Sequence, residues 1–306
     1  MTSSNRKRCG FAATMAVAIS LTSLPTLGNE ADAPGLPTVS ASEAALRVNV
    51  AGRQRMLSQR MAKAACLMAT DVAADVHFDQ MDAAYALFVR SNEALRAGDP
   101  DIGLQPERYR RVLNALDKMD LAWSIYSKLV EQGIETKQFE VRELKTINSE
   151  SVEVLTLMNR AVNTTARAYG SVTPNVPLTL TITVDVAGRQ RMLTQKAVKE
   201  ACLMRVSDTP EVFAEALKGT VGMFDLSLTA LRFGMQDVGV MSAPTGAVAD
   251  KLAEVQELWA PVKSLLDQAA TGDALTESEI RQLAQMSEPL LKTMNQAVGL
   301  YESAGS

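Results

Sequence analysis

The chain has 306 residues, a formal net charge of −4, 47% apolar residues and 22% charged residues. Such a composition fills the cores of two domains of ordinary size, argues against disorder, and lacks the basic footprint of a nucleic-acid-binding protein. Aromatic residues make up only 5% while Met reaches 15 residues, a balance that suits helical bundles better than β-sandwiches.

At the N-terminus, Arg6, Lys7 and Arg8 precede an apolar stretch from Gly10 to Leu27, and Ala31-Asp32-Ala33 offers a small-x-small cleavage site. This pattern predicts a cleavable secretory signal peptide over residues 1–33, with an uncleaved membrane anchor as the alternative. No Cys closes the apolar stretch, which argues against a lipoprotein. No later segment has the roughly 18 apolar residues that a spanning helix needs. The mature chain is therefore expected outside the cytoplasm, in the periplasm of a Gram-negative cell.

Turn signals then divide the chain into helical stretches. The first is expected from Ser42 to Asp75, the second from Gln80 to Ala97, up to the breaker Gly98-Asp99-Pro100. A third runs from Pro106 to Gln132 and stops at Gly133; a fourth runs from Lys137 to Tyr169 and stops at Gly170. Residues 171–177, with Pro174 and Pro177, form a stiff linker. Only Thr179 to Thr183 alternates like a strand. Further breaks fall near Asp208-Thr209-Pro210, between Gly234 and Gly246, and at Thr271-Gly272-Asp273, and Thr209-Pro210-Glu211 reads as a helix start with Pro at its first position.

The second half repeats the first. VNVAGRQRMLSQRMAKAACLM from Val48 recurs as VDVAGRQRMLTQKAVKEACLM from Val184, an offset of 184 − 48 = 136. The same offset pairs Phe88 with Phe224, Trp123 with Trp259, and Met158-Asn159 with Met294-Asn295. The reading is an all-α protein of two tandem up-down antiparallel four-helix bundles, residues 41–170 and 178–304, packed side by side as a pseudo-dimer.

On a helical wheel the first helix has two seams. Val50, Leu57, Met61, Ala64 and Met68 form a core stripe; Ala51, Arg55, Ala62, Cys66 and Ala69 form an opposite stripe of mostly small residues. The matching stripe of the second copy is Ala187, Arg191, Val198 and Cys202. Packing the two against each other would bring Arg55 and Arg191 face to face near a pseudo-twofold axis. Two such guanidiniums repel, are costly to desolvate and cannot shed their protons. A protein carboxylate or a bound anion should lie between them. Asp185 is the acid at hand, but the first copy has Asn49 at that place. This favours a small anionic ligand, with room left by Gly52 and Gly188. Removing Arg55 would then relieve repulsion in the empty protein. Arg53 and Arg189 read as rim charges that steer an anion, or as structural charges; the arginine pair itself has solvent exposure or acids elsewhere as its alternative.

Cys66 and Cys202 fall on the same inferred face, so they are either a disulfide or two buried small residues. His77 and two Cys are too few for a zinc site, and no C-x-x-C-H haem motif occurs. Trp123 and Trp259 read as core. No nucleophile–base pair, phosphate loop or spaced acid pair is visible, so neither catalysis nor a cofactor or metal is expected.

The two AGRQRML(S/T)Q segments resemble the signature of the PilJ-type domain, the N-terminal sensor domain of type IV pilus methyl-accepting chemotaxis transducers. That domain is related to the periplasmic sensor domain of nitrate/nitrite sensor kinases, in which a segment with an A-G-x-x-R-M core binds nitrate at a parallel dimer interface. Ala51-Gly52-Arg53-Gln54-Arg55-Met56 and Ala187-Gly188-Arg189-Gln190-Arg191-Met192 match that core. The resemblance implies ligand contact by Arg55 and Arg191. This chain departs from the family in its Arg-Gln between Gly and Arg, and in Glu200 where the first copy has Ala64. The resulting expectation is a periplasmic sensory protein holding a nitrate-like oxyanion or a carboxylate. The alternative is a non-catalytic module docking on a pilus, envelope or membrane-receptor protein, its oligomeric state open.

Overall fold

A computed structural model describes residues 39–172 and 176–304. The expected signal peptide and residues 173–175 of the linker lie outside the described residues.

The first helix, α1 (Ala41–Ala69), starts where Ser40 Oγ accepts the Glu43 amide at 3.1 Å, an N-cap that satisfies one orphan donor. It stops six residues before the end of its expected range, because Asp71 and Ala73 adopt left-handed φ of 55° and 48°. The chain reverses within four residues, and α2 (Ala74–Ala97) follows at once. Neither turn residue is Gly, so composition gives no warning of this turn.

Helix α3 (Arg110–Thr136) passes straight through Gly133. A Cβ there would stand 1.8 Å from Phe139 Cζ, so this glycine admits a ring rather than ending a helix. Residues Val141–Glu143 form a 3₁₀ turn with reciprocal Glu140–Glu143 capping, and α4 (Leu144–Val172) begins there instead of at Lys137.

The second copy comprises α5 (Leu178–Met204), α6 (Pro210–Phe233), α7 (Gly246–Ala270) and α8 (Glu277–Ala304). The strand-like Thr179–Thr183 segment is helical. Thr183 Oγ1 donates back to Thr179 O at 2.7 Å, and Thr181 Oγ1 donates to Ala166 O of α4 at 3.1 Å. Packing against α4 overrides the local β preference.

The fold is all-α: α1 packs on α2, α4 and α5, and α5 packs on α6, α8, α4 and α1. Helices α3 and α7 rest on α4 and α8. The two first helices are thus the central pair, side by side and parallel. α1 is buried around most of its circumference, more than two opposite stripes imply. The offset of 136 extends to the packing. Phe88 stacks on Trp123 and Phe224 on Trp259, each at 3.8 Å between centroids. Gln54 donates to Phe88 O at 2.9 Å and Gln190 to Phe224 O at 3.0 Å.

Candidate functional site on the pseudo-twofold axis

The small residues of the second stripe let α1 and α5 approach closely. Cys66 and Cys202, both fully buried, are joined by a disulfide across this seam with Cα atoms 6.2 Å apart. Further toward the N-terminal ends, Arg55 and Arg191 face each other, 0% and 2% exposed.

Each guanidinium is held in the same way. Arg55 donates through Nε to Gly52 O at 3.4 Å, through Nη1 to Asn159 Oδ1 at 3.1 Å, and through Nη2 to Asp185 O at 3.2 Å. Arg191 donates to Gly188 O at 3.4 Å, Asn295 Oδ1 at 2.9 Å and Asn49 O at 3.4 Å. Every partner is its counterpart's number plus or minus 136. Each arginine is therefore caged by the fourth helix of its own copy and by the first helix of the other.

Both glycines of the motif lie under the guanidiniums. A Cβ on Gly52 would meet Arg55 Nη2 at 3.0 Å and Arg191 Nη2 at 3.8 Å; on Gly188 it would meet the same atoms at 3.6 and 3.1 Å. The space they leave is taken by the arginines themselves.

One position breaks the symmetry. Asp185 Oδ1 pairs with Arg55 Nη2 at 2.7 Å, and its other oxygen pairs with Arg189 at 3.1 Å. Opposite, Asn49 offers Arg191 only an amide oxygen at 2.6 Å. Among the described residues Arg191 meets no carboxylate within ion-pair distance. Burial drives Arg191 down to about 9, reinforced by Arg53 and Arg55 and opposed by Glu302. It remains a cation at neutral pH. Arg55 is lowered by burial too, with Asp185 pulling it back. Glu302 is pushed above the usual carboxylate range by burial, while Asn49, Arg191 and Arg53 pull it down. The cluster thus sets four guanidiniums (Arg53, Arg55, Arg189, Arg191) against two carboxylates (Asp185, Glu302).

The arginines and glycines singled out in the sequence converge here, with altered roles, while Cys66 and Cys202 lie further along the same seam. Arg53 donates to Ser91 Oγ at 2.9 Å, and Arg189 is tied to Asp185 instead of standing free at a rim. The protein carboxylate set aside in favour of a ligand is present on Arg55, so relief of repulsion belongs to Arg191. Asn159 and Asn295 were visible as a repeated pair but carried no chemical signal until α4 and α8 brought them to the guanidiniums. Glu200, on the expected core stripe, is buried against Lys196 and accepts from Thr220 Oγ1 at 2.7 Å. His77, in the first turn of α2, is buried and shares a hydrogen bond of 3.2 Å with Gln80.

The described residues thus form a parallel pair of helical bundles that meet at a buried arginine motif. Residues 38–146 and 181–286 match the family model described as the type IV pili methyl-accepting chemotaxis transducer N-terminal domain, PilJ, so the chain belongs to that family in two copies. It is also similar to the methyl-accepting chemotaxis protein McpN of Pseudomonas aeruginosa, 29% identical over 121 residues. That match covers 40% of this chain and 22% of the relative's length. Membership carries a sensory, signalling role. No described helix is long and apolar enough to cross a membrane.

Proposed function

We propose that this chain is a periplasmic sensory protein that binds one small monovalent anion, a nitrate-like oxyanion or a short carboxylate, on Arg191. The observation that carries this reading is the broken symmetry of the cage: Arg55 has a carboxylate at 2.7 Å and Arg191 has an amide. A buried cation without a directly paired carboxylate is costly, and an anion that supplies one gains a charge-assisted, desolvated contact. Asn49, Arg53 and Glu302 are only partly buried, which gives a path to Arg191. The ligand enters by displacing the Asn49 side chain from Nη2. Since the same guanidinium bridges α1 and α5, occupancy shifts the helix pair, and a membrane receptor or pilus-related protein reads that shift.

A thermal-shift panel with nitrate, nitrite, sulfate, phosphate and short carboxylates tests this, because a ligand specific for the native state raises the melting temperature by mass action. One monovalent anion should raise it, and the rise should vanish in Arg191→Gln and in Asn49→Asp. A well-formed melting curve indifferent to every anion would sink the ligand reading and leave a docking module.

A further inference from the structure

Below the arginines, α1 and α5 carry a second pair of buried cations, Lys63 and Lys199, again 199 − 63 = 136 apart and 0% and 1% exposed. Their surroundings differ. Lys63 Nζ donates to Glu288 Oε1 at 2.9 Å, and Arg60 grips the same carboxylate at 3.0 and 2.7 Å. The residue equivalent to Glu288 in the first copy is Val152 (288 − 136 = 152). Lys199 instead donates to Gln59 Oε1 at 2.8 Å and Ser151 Oγ at 3.4 Å. Among the described residues it meets no carboxylate within ion-pair distance, since Glu200 turns to Lys196. Burial brings Lys199 down to about 7, with Glu200 opposing and Lys196 reinforcing.

Two cavities, related by the same pseudo-symmetry, lie beside these buried lysines, and neither lysine itself lines its cavity. The smaller, about 260 Å³, lies between the α1–α2 turn and α8, and includes His77, Gln80 and Glu288 in its lining. The larger, about 990 Å³, lies between the α5–α6 turn and α4. Val152 lines it where Glu288 lines the other, together with Leu203, Val206, Val212 and Phe213. Leu203 is one helical turn beyond Lys199 on the same face of α5. Ser151, which accepts from Lys199, is flanked by Glu150 and Val152, both in the cavity wall. The carboxylate that lines the small cavity and reaches Lys63 thus has no counterpart in the large one, where Val152 takes its place.

We propose that the large cavity binds an apolar monocarboxylate. Its carboxylate pairs with Lys199 as Glu288 pairs with Lys63, and its tail lies on Val152, Val206, Val212 and Phe213. Arg142 and Lys145 in the wall are outnumbered by Glu150, Glu153 and Asp208, so a second negative charge on the ligand is disfavoured. The apolar part of this mixed wall supplies the affinity and the lysine fixes the orientation. This site is separate from the arginine cage and does not depend on it.

Calorimetric titration of the purified chain with octanoate tests the assignment. Octanoate should bind saturably at one site, and octanol, which lacks the charge, at least about tenfold more weakly. Lys199→Met should reduce affinity for octanoate by a similar factor. Val152→Glu, at a position 39% exposed and therefore tolerant of a carboxylate, should recreate the Glu288 arrangement and abolish binding while the fold is kept. Arg191→Gln should leave octanoate binding unchanged. Absence of saturable octanoate binding, equal binding of octanol, or undiminished affinity in a folded Val152→Glu protein would overturn the proposal.

Discussion

Arg55 and Arg191 share a motif, a burial and a cage, and differ in one neighbour, the Asp185 carboxylate against the Asn49 amide. Physical chemistry makes that difference large. Removing Arg55 strands Asp185, 5% exposed, with Arg189 alone, and breaking a buried pair costs on the order of 3 kcal/mol. Removing Arg191 breaks no ion pair, takes only a more distant counter-charge from Glu302, and relieves repulsion from Arg53 and Arg55. Urea denaturation of Arg55→Gln and Arg191→Gln should therefore show a clear loss for the first and little loss, or a gain, for the second. Equal losses would mean that the two cages are electrostatically alike. Much of this was legible in the sequence: the repeat named the arginines, and the Asn49/Asp185 difference was in plain view. What the sequence withheld was the direction of the cross-copy contact. Whether Asp185 serves Arg55 or Arg191 depends on helix packing, which no local pattern encodes.

At the scale of elements, α1 and α5 do the organising, and the disulfide ties them near their C-terminal ends. Cys66 and Cys202 are 136 residues apart, so the bond closes a long loop. Chain-entropy arguments give up to about 5 kcal/mol for such a closure. Cys66→Ala with Cys202→Ala should lower the denaturation midpoint accordingly, and reductant should have no further effect on that double variant. Gly133→Ala places a methyl group into the Phe139 ring and should cost about 2 kcal/mol by overpacking; a neutral result in urea melts would mean the ring moves freely. Helix identities could be read from periodicity, but helix ends could not. Gly133 and Gly170 read as stops because glycine ends many helices, yet both admit a neighbour's side chain within a continuing helix. The turn at Asp71 and Ala73 uses left-handed residues that sequence rules do not anticipate.

The whole molecule is a parallel dimer made within one chain, which lets the two halves diverge where a homodimer cannot. Two divergences, Asn49/Asp185 and Val152/Glu288, change the charge balance at equivalent places, and a third, His77/Phe213, gives one half a titratable ring that the other lacks. His77 is held down to about 4, first by burial and then by Lys63. Between pH 6.5 and 4 the unfolded chain takes up a proton that the folded chain refuses, so stability falls as pH falls through that window, by up to about 3 kcal/mol. His77→Phe, copying the second half of the chain, should flatten that stretch of the stability profile; an unchanged slope would assign it to other groups.

The proposed anion site rests on the broken symmetry that leaves Arg191 facing an amide where Arg55 faces a carboxylate. Isothermal titration with the anion that raises the melting temperature most is its most direct test. One site per chain is expected, abolished by Asn49→Asp, which gives Arg191 its own carboxylate. Two equivalent sites per chain, or binding that survives in Asn49→Asp and Arg191→Gln, would contradict it.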